Sequence, residues 1–160
     1  TSIDFDSPSL MKELQTIFQN TQIKEKISQP NTLILQIDEV DVSFFKINEE
    51  MLEPLVETEY FRLASLADIG CMKLSALLGR SVLKDYVDLY VICKTVIPLR
   101  ELLEKAKSKY PTVDSAAFLR ALGYYEDIQM VSILFKNNFF TTKEIIKDFF
   151  ITEIKKLFKI

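Results

Sequence analysis

The stretch that decides the fold runs from Leu66 to Lys94, LADIGCMKLSALLGRSVLKDYVDLYVICK. Apolar residues recur in it every three to four positions on either side of Gly79, which predicts two helices joined by a tight turn. The first is capped by Ser65 and ends at Leu78, with Gly79 just beyond; the second spans Val82 to Lys94. On the first helix Lys73 falls in the middle of the stripe Leu66, Ile69, Gly70 and Leu77, opposite Asp68 and Ser75. A lysine on a buried face needs a partner. On the second helix Asp85 sits between Leu89 and Ile92 at the margin of the apolar face, close enough in sequence to reach Lys73 across the turn. Lys84 and Asp88 are spaced to pair at i and i+4 on the wetter side. Two roles are open to Lys73: half of a buried pair with Asp85, or a point charge in a cleft that takes phosphate. Arg80, just past the turn, is free to point into such a cleft or to sit at the helix C-terminus for dipole reasons alone.

Downstream the period stays helical, giving helices over Pro98 to Lys109, Val113 to Leu122, Ile128 to Phe135 and Thr142 to Phe158, the last with a capping box of Thr141 and Glu144. The aromatics of this half, from Tyr124 to Phe158, read as core. Upstream the pattern changes. Ile3 and Phe5 alternate with Asp4 and Asp6 as in a short strand, and Ser7 as N-cap with Pro8 at the first helical position opens a helix that runs to Asn20. Three β-like runs follow, over Gln22 to Ser28, Thr32 to Ile37 and Val40 to Ile47, the last two spaced to pair as a hairpin around Asp38-Glu39. A short extended run from Tyr60 to Ala64 delivers the chain to Ser65. The layout is therefore α+β, with a small sheet half over residues 1–64 and a helical half over residues 65–160. The opening on Thr1, already in strand-like alternation, reads as a truncation.

The 160 residues are 48% hydrophobic and carry a net charge of −3, which excludes a disordered chain and supplies no general attraction for nucleic acid or anionic membrane. Histidine is absent, so His-based triads, Cys-His dyads and imidazole zinc sites are excluded. Any metal would be held by oxygen. Cys71 and Cys93 lie inside helical patterns and read as buried apolar residues of a reducing compartment, with the cytoplasm as expected location. No apolar stretch approaches the roughly 20 residues of a membrane span.

Two groups of acids lie on strand-like runs. Asp4 and Asp6, at i and i+2, emerge on one face, where two carboxylates suit a Mg²⁺ ion that keeps phosphate oxygens for its other positions. The plainer reading is an end strand with a solvated acidic side. Asp41 and Ser43 share a face by the same rule, and Asp41 is a candidate third carboxylate or a polar residue of a soluble edge.

Two of these stretches together resemble a family. Ser2-Ile3-Asp4-Phe5-Asp6 is similar to the S-x-D-x-D strand of nucleotidyltransferases. Leu66 to Lys94 closely resembles the segment of Lys, then Arg, then K/R-D-x-x-D-L-Y in the AbiEii/AbiGii nucleotidyltransferase-like toxins, members of the polymerase-β-like superfamily.

The resemblance implies a small mixed sheet of nucleotidyltransferase type carrying Asp4, Asp6, Asp41 and Ser43 on one face, followed by a helical bundle. It implies Mg²⁺ held by Asp4 and Asp6, a third catalytic carboxylate that is either supplied by Asp41 in a rebuilt site or missing, and a nucleoside triphosphate contacted by Ser2, Lys73, Arg80, Lys84 and Asp85. An acceptor hydroxyl, on tRNA in some members, would attack the α-phosphorus and displace pyrophosphate, and a cognate antitoxin would be the protein partner. With a lysine at position 73 in the family, the cleft role is the one expected for Lys73. The family's third carboxylate aligns with Ser43, and its Gly-rich turn would lie upstream of Thr1. A second outcome is accordingly a degenerate or truncated member that keeps the fold as a non-catalytic binding or interaction module.

Overall fold

The computed structural model describes residues 4–158, and the chain divides into two compact units, the first ending at Glu50 and the second starting at Met51.

In the first unit, helix α1 (Ser7–Ile17) precedes three strands, β1 (Ile23–Gln29), β2 (Thr32–Ile37) and β3 (Val40–Phe45). The strands form an antiparallel meander in the order β1-β2-β3, not the mixed sheet that the resemblance implies. Short turns explain this: Asn31 and Asp38 both take positive φ, 58° and 51°, at the two hairpin bends. Asparagine and aspartate tolerate that conformation better than other non-glycine residues. Leu33 and Leu35 of β2 are fully buried against Leu14 of α1, and Val42 and Phe44 of β3 extend the same face. Asp41 and Ser43 therefore do share a face, the one turned away from α1.

Residues 4–6 form no strand. Asp6 caps α1 instead, accepting from Ser9 N at 3.0 Å and from Ser9 Oγ at 2.6 Å. Ser7, expected as the cap, is the first helical residue, and its hydroxyl donates to the carbonyls of Gln29 and Thr32. An aspartate one residue before Ser-Pro competes for the cap position, and here it wins.

The second unit begins with a two-stranded ribbon, β4 (Val56–Glu57) and β5 (Arg62–Leu63), and continues as α2 (Leu66–Gly79), α3 (Leu83–Thr95), α4 (Leu99–Lys109), α5 (Ser115–Gly123) and α6 (Lys143–Leu157). Residues 51–64, which the sequence assigns to the sheet half, thus belong with the helices. The core is made of fully buried Cys71, Leu74, Tyr86, Leu89, Leu102, Phe118, Ile146 and Phe150. Gly70 permits its density: a Cβ there would stand 2.9 Å from Leu102 Cδ1 and 3.3 Å from Ile92 Cγ2. The helix expected over Ile128 to Phe135 does not form. Val131, Ile133 and Phe135 are half-buried while Ser132, Leu134 and Lys136 are exposed, a period of two that suits extended backbone. Gln129 anchors this segment by donating to Ser81 O at 2.7 Å and accepting from Leu83 N at 3.1 Å. The cap of α6 is Thr142, whose hydroxyl accepts from Ile145 N at 3.3 Å; Thr141, one residue earlier, is buried with its Oγ1 unpartnered.

Candidate functional site

Asp4 and Asp6 both line a cleft of about 510 Å³ between the start of α1 and the β1–β2 turn, with Ser28, Gln29, Pro30 and Asn31 opposite. Its oxygens are already engaged. Asp4 Oδ1 accepts from Lys46 Nζ at 2.7 Å and from Asn31 Nδ2 at 3.1 Å, and these contacts, Lys46 foremost, hold its carboxyl below the usual range. The carboxyl of Asp6 is lowered likewise by the Ser9 hydroxyl and the Ser9 N–H. Ser2 lies outside the described residues.

Asp41 is not part of this cleft. It stands beside the β2–β3 turn, where Val40 pairs with Ile37, while Lys46 lies at the other end near Asn31. Five residue-to-residue steps of about 3.4 Å along extended backbone separate Asp41 from Lys46 by roughly 17 Å. The carboxylate of Asp41 is taken by Lys26, reaching across the open face of the sheet. The expected catalytic trio is therefore not assembled, because the D-x-D pair meets the sheet at the wrong end. Among the described residues no three acidic or thiol groups converge as a metal site.

A Mg²⁺ ion fits poorly here. Its first expected ligand shares an oxygen with an ammonium, which would repel the ion, and its second is spent satisfying the N–H groups that open α1.

The other candidates belong to the second unit, where the turn between α2 and α3 builds a charge cluster. Asp85 is wholly buried; its Oδ1 accepts from Lys73 Nζ at 2.9 Å and its Oδ2 from Arg80 Nε at 3.0 Å. Lys73 also reaches Asp88 Oδ2 at 2.5 Å, so Asp88 pairs with Lys73 and not with Lys84. Burial works against the Lys73 charge, but the hydrogen bonds to Asp88 and Asp85 outweigh it and raise its pKa above the ordinary lysine value. The buried-pair role of Lys73 is thus realised, with its side chain about one quarter open to solvent. The Arg80 side chain, although bonded to Asp85, is more than half exposed, and Lys84 is exposed beside this cluster.

A second buried pair escapes the helical-wheel reading, which puts Asp68 on the wet side. Asp68 is fully buried, and its Oδ1 meets Lys109 Nζ at 2.8 Å. It also accepts from Leu52 N at 2.9 Å, from Glu53 N at 3.1 Å and from the Ser65 hydroxyl at 3.0 Å. Desolvation opposes its ionisation, yet Lys109 and these donors prevail and its pKa lies below the usual value. The signal in the sequence is Ser65-x-x-Asp68, a reciprocal cap whose acid, once turned inward, demands a cation. Neither cysteine offers a nucleophile: burial pushes the thiol of Cys71 up to about 11 and that of Cys93 to about 12.

No family model matches this sequence, and no solved structure matches it. A relative is found in an uncharacterized protein of Aquifex aeolicus, aq_aa25, 29% identical over 126 residues that make up 77% of this chain and 60% of that protein. The chain thus spans about 60% of the length of the curated relative it matches.

Proposed function

We propose that this chain is a nucleotidyltransferase-like module of the AbiEii type that binds without transferring, a non-catalytic binding and interaction module. Lys46 carries the reading. Its ammonium, 2.7 Å from Asp4 Oδ1, occupies the neighbourhood in which a catalytic metal would have to sit. The capping role of Asp6 and the remote position of Asp41 support the same conclusion. What the family resemblance leaves for such a module is recognition. Arg80, bonded to Asp85 yet more than half exposed, and Lys84, exposed beside it, are the residues proposed to meet the phosphates of a nucleoside triphosphate or of tRNA, with Mg²⁺ not required. A cognate antitoxin is the protein partner this reading implies.

Incubation of the chain with α-labelled nucleoside triphosphates, Mg²⁺ and bulk tRNA tests the reading directly. No label is expected to pass to tRNA, and any thermal stabilisation by ATP is expected to survive both chelation of Mg²⁺ and Asp4→Asn. Mg²⁺-dependent transfer that Asp4→Asn abolishes would overturn it in favour of a working nucleotidyltransferase.

A further inference from the structure

The meander has two outer edges, and they are built differently. β1 carries a register irregularity between Glu25 and Ile27, has lysines at positions 24 and 26, and runs into Pro30. A bulge, lysines and a proline are the devices by which sheets blunt an edge against further pairing. β3 reads Val40-Asp41-Val42-Ser43-Phe44-Phe45, with no proline, glycine, cation or register break, and within its unit its outer side pairs with no strand among the described residues.

The phase of that edge is fixed. Lys46 N donates inward to Asn31 O at 3.0 Å, so alternate residues, Phe44, Val42 and Val40, also turn their N–H and C=O groups towards β2. Those of Asp41, Ser43 and Phe45 point outward.

We propose that this edge is a seam between two copies of the chain, β3 pairing antiparallel with β3 of a second copy about a two-fold axis through Ser43. Residues opposite each other in an antiparallel pair share a face, so only outward-facing residues can bond with outward-facing ones. Centring on Ser43 sets it opposite Ser43 of the second copy and sets Asp41 opposite Phe45 at either end, so every outward N–H and C=O of β3 finds a partner. A shift of two residues in either direction leaves one of the three unpaired. The same register keeps the two Asp41 carboxylates at opposite ends of the ladder, which avoids the like-charge clash that destabilises directly opposed acids. On the other face it brings Val42 against Phe44 in the closer, non-hydrogen-bonded pairing, continuing the apolar layer that α1 covers. Val40 and Phe45, 64% and 57% exposed in the single chain, lose water at the seam.

Sedimentation velocity on the whole chain, from micromolar to near-millimolar concentration, tests the seam. Wild type is expected to show a monomer–dimer equilibrium. Ser43→Pro removes an N–H that has no strand partner among the described residues, which an edge strand tolerates, and is expected to be monomeric with an unchanged far-ultraviolet circular dichroism spectrum. Phe45→Glu sets an acid opposite Asp41 and Phe45→Lys sets a base there, so the lysine variant is expected to dimerise about tenfold or more tightly than the glutamate variant. Should Ser43→Pro fail to fold, that contrast decides alone. A chain monomeric at every concentration, its edge left to solvent or to some other strand, would overturn the proposal. So would a dimer indifferent to these substitutions.

Discussion

Asp85 holds two cations at once, Lys73 Nζ at 2.9 Å on one oxygen and Arg80 Nε at 3.0 Å on the other, and this sharing changes what either cation is worth. Loss of one partner of a simple buried pair costs about 3–5 kcal/mol, because the remaining charge is stranded. Here Arg80 stays with the buried acid when Lys73 is removed. Lys73→Met is accordingly expected to cost only about 1.5–3 kcal/mol, the range of a hydrogen bond to a charged group, whereas Lys73→Met combined with Arg80→Met should cost more than the two single losses added together. Urea unfolding of the three variants measures this, and strict additivity would contradict it. The pH dependence has a definite sign. A raised folded-state pKa means that Lys73 stabilises fully below the unfolded value of roughly 10.4 and that this contribution is lost as pH rises through the folded value.

Lys109 and Asp68 should behave differently, because both side chains are almost fully buried, Lys109 is the one cation bonded to Asp68 among the described residues, and the carboxylate takes its remaining hydrogen bonds from neutral donors. Lys109→Met is expected to cost about 3–5 kcal/mol. With a lowered folded-state pKa, Asp68 stabilises above its unfolded value of about 3.9, and that contribution disappears as pH falls through the folded value. Acid titration of wild type and Lys109→Met, followed by circular dichroism, should show the variant unfolding at higher pH.

The two threonines before α6 have opposite roles. Thr142→Ala removes the cap on Ile145 N and should destabilise by about 1 kcal/mol. Thr141→Val replaces a buried hydroxyl that has no partner by a methyl of the same shape, and thermal melting should show it neutral or stabilising. Destabilisation by Thr141→Val would mean that the hydroxyl is satisfied in solution.

Gly70 and Gly79 separate packing from propensity. Alanine at 79 meets no atom within 4 Å and sits at ordinary φ, so the shorter list of unfolded conformations should stabilise the chain by about 0.4–1 kcal/mol. At 70 the new methyl meets Leu102 at 2.9 Å inside the core. There the overpacking cost of about 1–3 kcal/mol should cancel or exceed the same gain.

Local pattern made most of the fold legible. β2 and α2 form almost where alternation and the 3.6 period put them, and the Lys73–Asp85 contact follows from two stripes facing each other across a turn. The misreadings have physical causes. Ile128, Val131 and Phe135 fit one helical face, while Val131, Ile133 and Phe135 fit a strand's alternation, and the anchoring of Gln129 beside Ser81 selects the extended form. Asp68 carries a charge, so a wheel assigns it to water; its burial depends on Lys109, forty-one residues away, and no window centred on α2 contains that partner. The site failed for a related reason. Alternation places Asp4 and Asp6 on one face correctly for a strand, but whether that segment is a strand depends on which acid caps α1, and Asp6 does so.

The N–H groups of Leu52 and Glu53 end on Asp68, and this sets where the helical unit can be severed from the rest. A fragment starting at Met51 keeps both donors and arrives with the Asp68 carboxylate fully coordinated. One starting at Ser65, where the β-to-helix change in sequence invites the cut, would discard the ribbon and leave that carboxylate with Lys109 and Ser65 alone. Residues 51–64, of which Leu52 packs against the apolar core, thus matter to this unit chiefly through two backbone N–H groups given to a buried charge.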